Sequence, residues 1–111
     1  MDTGKLKVIV YEQFHEDLKN IFRYGIETFG NSSALQFYEN IERLVDNLET
    51  AYAMYPECRF LVTKNKIYRN IILESYLIIY RITSDKIEVL RVFHSSICTS
   101  TRIRRVRKII I

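Results

Sequence analysis

The chain has 111 residues and a mass of 13.3 kDa, the size of one domain with no room for a second core. With 48% hydrophobic and 27% charged residues, eight Tyr, six Phe, three Gly and one Pro, it can bury a core and is neither disordered nor fibrous. The formal charge of +4 is local, because Arg102–Lys108 supplies five of the 17 basic residues and no acid, leaving 12 basic against 13 acidic residues elsewhere. No apolar run approaches the roughly 18 residues of a membrane span, and Met1–Lys5 lacks the apolar region of a signal peptide, so the expectation is a cytosolic protein without membrane contact. Cys58 and Cys98 have neither CxxC spacing nor neighbouring histidines, which reads as reduced thiols rather than a zinc site or disulfide.

Lys5–Tyr11 alternates and is rich in β-branched residues, the pattern of a first strand. From Glu12 the period changes: Phe14, Leu18, Ile21, Phe22 and Phe29 recur at helical spacing, and Gly30 stands where a C-terminal cap belongs, so a helix is predicted over 12–29. Asn31–Ser33 offers N-capping side chains for a second helix, in which Ala34, Tyr38, Ile41, Val45, Leu48, Tyr52 and Tyr55 repeat at steps of four and three until Pro56. Phe37, Leu44 and Ala51 widen its apolar stripe. Three strand-like runs follow, Ile67–Leu73, Tyr76–Ile82 and Ile87–Phe93, with connections short enough for hairpins. The expected fold is α+β: a two-layer sandwich of order β-α-α-β-β-β, with an antiparallel sheet packed on a helical hairpin. Residues 1–98 are read as the single domain and 99–111 as a basic C-terminal tail.

Regular hairpins pair Leu73 with Tyr76, Ile71 with Ile78, Arg69 with Tyr80, Arg81 with Glu88, Tyr80 with Val89 and Ile78 with Arg91. One face then carries Arg69, Ile71, Tyr76, Ile78, Tyr80, Val89, Arg91 and Phe93, and the other Leu77, Ile79, Leu90, Val92 and His94. The second, more aliphatic face is assigned to the helices. Paired arginines among tyrosines suit phosphate and base contacts, since the guanidinium fork bonds phosphate bidentately and the rings stack. His94, with an ordinary pKa near neutrality, is the candidate acid or base. No glycine-rich phosphate loop, metal-ligand cluster or nucleophile elbow occurs, so neither metal nor cofactor is expected. In the tail, Ile103, Val106 and Ile110 interleave with Arg102, Arg104, Arg105, Arg107 and Lys108, which suits an amphipathic helix docking on this domain or a partner, or a nucleic-acid contact.

The order of elements and several residues together resemble the RelE/ParE superfamily of toxins from bacterial type II toxin-antitoxin systems. The resemblance covers about residues 6–95 and rests on the first strand, Asp17-Leu18 with Ile21, Phe37, Ile41–Leu44, Pro56 with Arg59, Tyr68-Arg69, Tyr76–Ile82 and Ile87–His94. It implies a cytoplasmic growth inhibitor, of the kind linked to plasmid stabilisation, neutralised by a cognate antitoxin in a hetero-oligomer. Two mechanisms are open, and an inactive relative retained as an interaction module of the same fold is a third alternative. RelE-like members cleave messenger RNA on the ribosome, for which Arg69, Arg91 and His94 would be the catalytic set. ParE-like members inhibit DNA gyrase by binding and are not enzymes in that action. Lys64, Lys66, Tyr76, Tyr80 and the basic residues of the tail are candidate RNA or target contacts. Leu77, commonly Arg in the family, and Ser95, often Arg or Tyr in the nucleases, depart from the nuclease pattern. The ParE-like reading is preferred.

Overall fold

The computed structural model describes residues 5–97. Cys98 and the basic tail lie outside the described residues. Strand β1 (Lys7–Val10) leads through Tyr11 into helix α1 (Glu12–Phe29), and Gly30 alone separates α1 from α2 (Asn31–Ala51). Strands β2 (Tyr68–Leu73), β3 (Tyr76–Ile82) and β4 (Lys86–His94) form the meander, followed by a 3-10 turn at Ser95–Ile97.

The Gly30 junction explains why two helices form where the apolar pattern alone permits one long one. At φ +92° the backbone is in a region that only glycine enters without strain, and its N–H caps α1 by donating to the Ile26 carbonyl at 3.1 Å. The Gly30 carbonyl meanwhile accepts the Ala34 N–H, so one residue closes one helix and opens the next. Asn31–Ser33 therefore lie inside α2, and no side chain caps its start. Just inside the hairpin, a Cβ on Gly25 would stand 3.3 Å from that of Ala34, so the helices cross closely there.

The sheet order is β1-β4-β3-β2. The meander is antiparallel, but β1 pairs in parallel with β4, from Lys7 opposite Lys86 to Val10 opposite Val89, so the sheet is mixed rather than antiparallel throughout. The helical hairpin dictates this. It runs out from the end of β1 and returns to its beginning, where the Leu6 N–H donates to the Glu49 carbonyl at 2.9 Å. The meander thus starts from the same end as β1, and its third strand points the same way as β1.

Between β2 and β3 the register is the expected one, including Arg69 opposite Tyr80. Between β3 and β4 it holds from Ile82–Ile87 to Tyr80–Val89, then slips by one at a β-bulge, so that Arg91 faces Ile79 and Val92 faces Ile78. The expected face assignment is reversed: the face of Leu77, Ile79 and Leu90, assigned to the helices, turns away from them, the face of Ile71, Ile78, Tyr80 and Val89 meets them, and the slip brings Val92 onto that helix side. Ile71, Ile78, Tyr80, Ile87, Val89 and Val92 pack on Phe14, Leu18, Ile41, Val45 and Leu48 of the helices. Leu77, Ile79, Leu90 and Phe93 point the other way, with Tyr68, and are covered by Cys58 and Leu61 of the 52–67 connection. A comparison of apolar content could not choose between the faces, because both are buried.

That connection begins where helical bonding is outcompeted. The Tyr80 hydroxyl donates to the Tyr52 carbonyl at 2.6 Å, and Arg69 Nη1 donates to the carbonyls of Tyr55 at 2.7 Å and Ala53 at 3.4 Å. Helix α2 accordingly ends at Ala51, ahead of Pro56.

Candidate binding surface

The candidate polar residues separate into two groups, those used by the fold and those that reach solvent. Arg69 on β2 belongs to the first. Besides its two Nη1 bonds, its Nε donates to the Lys66 carbonyl at 2.9 Å, so the fork ties the sheet edge to the connection around it. Its partner across the ladder, Tyr80, is wholly buried, and burial pushes its phenol pKa far above the ordinary value. Lys64 and Lys66 stand exposed in the same connection.

Arg91 is also engaged. Strand β1 ends opposite Val89, so the next stretch of β4 has an open edge, and α1 lays Asp17 along it. Asp17 accepts from Arg91 Nε at 2.7 Å, from Arg91 Nη2 at 2.9 Å and from the Val92 N–H at 3.1 Å. One carboxylate thus neutralises a guanidinium and satisfies a strand amide that has lost its neighbour. The third sheet arginine, Arg81, donates Nε to Glu88 Oε1 at 2.7 Å, and Tyr11 donates its hydroxyl to Glu88 Oε2 at 2.6 Å. Burial pushes the Glu88 pKa up, but the bonds from Arg81 and Tyr11 outweigh it and hold the carboxyl below its ordinary value.

The structure therefore does not bring Arg69, Arg91 and His94 into one cradle. Arg69 faces the 52–67 connection and Arg91 faces α1. His94, exposed at the end of β4, shares a 2.7 Å hydrogen bond between Nδ1 and Ser96 Oγ, and the Ser96 N–H donates to Nδ1 at 3.1 Å. Tyr76 and His94 meet, with ring centroids 5.1 Å apart.

This pair stands in the wall of a groove of 620 Å³ between the far end of the helical hairpin and the β2–β3 turn. Phe37 lies 5.0 Å from Tyr76, centroid to centroid, and Ile21, Phe22 and Tyr38 continue an apolar lining. Among the described residues Glu74 is the one carboxylate of the lining, and no described Lys or Arg lines it. At the mouth, Tyr24 and Phe29 are 54% and 69% exposed and touch edge to face. On the other flank of the hairpin Leu35 is 52% exposed. Burying a ring of this size is worth roughly 1.5–3 kcal/mol, so two adjacent exposed rings are a strong feature for a contact. The helical periodicity placed Phe29 in the core stripe, and the structure puts it in solvent because α1 has outrun the sheet. Tyr24 carried its own signal: it lies off the 14-18-21-22 stripe, and an aromatic off the buried face has no core to fill.

Chemically, the surface offers apolar and aromatic contact. Among the described residues no group of three or more His, Cys, Asp or Glu side chains could hold a metal ion.

The family described as ParE toxin of type II toxin-antitoxin system, parDE, matches residues 8–97, from β1 through the turn after β4. Among solved structures, the chain is similar to one described as "Chromosomal ParDE TA system from P. aeruginosa", with a TM-score of 0.68 at 18% identity over 83% of this chain and 98% of that one. Identity that low carries the fold alone. No curated protein sequence matches the chain significantly. With a family match that spans the whole sheet and both helices, the chain belongs to the ParE toxin family of type II toxin-antitoxin systems.

Proposed function

We propose that this toxin arrests growth in the cytoplasm by binding DNA gyrase through its helical hairpin, without cleaving RNA, and that a cognate antitoxin neutralises it. One observation carries the choice of mechanism. Arg69 and Arg91, the cations on which phosphodiester cleavage would rely to stabilise the developing phosphorane charge, are each held by at least two intramolecular hydrogen bonds on different sides of the sheet. A guanidinium held in this way would have to give up those bonds to meet a phosphate. The hairpin, by contrast, presents Tyr24 and Phe29 outside the core, available to a protein partner at no cost to the fold.

The test has two arms. Pulse labelling after controlled induction in a bacterium is expected to show early loss of thymidine incorporation while methionine incorporation continues. Purified toxin is expected to inhibit supercoiling by gyrase, and Tyr24→Asp with Phe29→Asp to relieve inhibition without lowering the melting temperature. His94→Ala should leave toxicity intact. Prompt loss of methionine incorporation, with messenger RNA cut and cleavage dependent on His94, would replace this reading with the ribosomal one. An antitoxin reading frame is expected beside the gene.

A further inference from the structure

We propose that the outer face of the helical hairpin is an interface between two copies of this chain, related by a twofold axis running along the helices, so that α1 of each copy lies on α2 of the other. The inference uses the hairpin alone and does not depend on gyrase being the target. On α1, His15, Lys19, Phe22 and Ile26 follow one another at steps of four, three and four, and on α2 Leu35, Tyr38, Glu42 and Asp46 do so at steps of three, four and four, so each set forms one row along its helix. The rows flank a furrow of 320 Å³, whose described lining includes His15, Lys19, Phe22, Leu35 and Tyr38. Leu35 and Ile26 are 52% and 37% exposed, and His15, Lys19, Glu42 and Asp46 also stand in solvent, so the face is open along its length.

What selects a second copy as the occupant is the way charge and apolarity are sorted along the two rows. Phe22 and Tyr38 each stand eight residues from Gly30, and their rings touch with centroids 5.5 Å apart, which fixes the two helices in step. Ile26 and Leu35 then stand four and five residues from Gly30, Lys19 and Glu42 eleven and twelve, and His15 and Asp46 fifteen and sixteen, so the members of each pair differ in height by at most about 1.5 Å. The half of the face near Gly30 is therefore apolar on both helices, and the half beyond it sets a lysine and a histidine on α1 beside two carboxylates on α2. Among the described residues, Lys19, Glu42 and Asp46 close no ion pair within the chain. An axis along the helices preserves height and exchanges the rows. It seats Phe22 and Ile26 against the same apolar stretch of α2 in the second copy, and brings Lys19 to the partner's Glu42 and His15 to the partner's Asp46, each contact occurring twice. An axis across the helices would reverse the heights and lay the charged half on the apolar one, desolvating charges without partners. The face is thus complementary to itself in one orientation.

Sedimentation equilibrium of the purified full chain, in reducing buffer so that no disulfide links two copies, reads the association. A monomer–dimer equilibrium is expected, and Leu35→Asp should abolish it. Lys19→Glu and Glu42→Lys each place two like-charged pairs in the interface and should each weaken the dimer roughly tenfold or more. The double variant exchanges the two signs, restores both pairs and should return the wild-type dissociation constant. A chain that stays monomeric up to its solubility limit would overturn the proposal. So would a dimer indifferent to all of these substitutions, which would place the contact on another face, and so would a double variant as weak as either single one, which would show that Lys19 does not meet the partner's Glu42. The substituted positions are exposed on the helices, and circular dichroism of each variant reports whether it is folded.

Discussion

Replacing Arg69 with alanine separates a structural guanidinium from a catalytic one. The substitution removes donors to the carbonyls of Lys66 and Tyr55 at 2.9 and 2.7 Å and a long bond to Ala53 at 3.4 Å. Hydrogen bonds from a charged donor are worth about 1.5–3 kcal/mol each, but water can replace part of them where the side chain is half exposed, so a net loss of about 2–4 kcal/mol is expected. Against a total stability of roughly 5–15 kcal/mol that is a large fraction. At roughly 4–8 °C per kcal/mol for a domain near this size, it lowers the melting temperature by roughly 10–25 °C. The assay is urea unfolding followed by circular dichroism, beside toxicity at matched soluble protein. Arg69→Lys keeps the charge but loses the fork, and should recover only a minor part of the loss. Unfolding of Arg69→Ala at the wild-type urea midpoint would refute the reasoning, and would return Arg69 to the set of residues free to act on a ligand. The same numbers govern how cell experiments are read: loss of toxicity in Arg69→Ala reports on catalysis only when the folded fraction has been measured.

Asp17→Ala should cost about 3–5 kcal/mol, because it strands the Arg91 guanidinium and uncovers the Val92 amide, whose hydrogen exchange should accelerate; unchanged exchange at Val92 would show that Asp17 does not seal the sheet edge. For Glu88 the folded pKa lies below the ordinary value, so its contribution is complete above pH about 4.5 and is lost as pH falls through the folded value. Glu88→Gln should weaken the protein at neutral pH and flatten this acid limb in pH-dependent denaturation. Tyr80 runs the opposite way: burial raises its pKa, so its contribution is complete below pH about 10 and is lost as pH rises toward the folded value. Tyr80→Phe should cost about 1–3 kcal/mol at neutral pH by leaving the Tyr52 carbonyl without its donor, and should reduce the steepness of alkaline unfolding.

Local chemistry made much of this fold readable along the chain. Helical periodicity located α1 and α2, Gly30 marked their junction, and Glu74-Ser75 and Thr83–Lys86 marked two hairpins whose first pairings follow from counting residues. These features depend on neighbours a few residues apart, which sequence order supplies directly. The site was less legible for the opposite reason. A bulge at Leu90 moved Val92 onto the helix face, and nothing within a few residues announces it. The connection 52–67 covered the face that a two-layer sandwich would have left to ligands. Most of all, the roles of the arginines were decided by partners distant in sequence: Asp17 lies 74 residues before Arg91, and the Tyr55 carbonyl 14 before Arg69. Residue type established that these side chains could grip an anion. Only the tertiary structure, by placing carbonyls and a carboxylate within 3 Å of them, decided that the anion-binding capacity is used within the chain, while Tyr24 and Phe29, whose apolar rings sequence alone assigns to a core or leaves unplaced, are carried past the sheet into solvent.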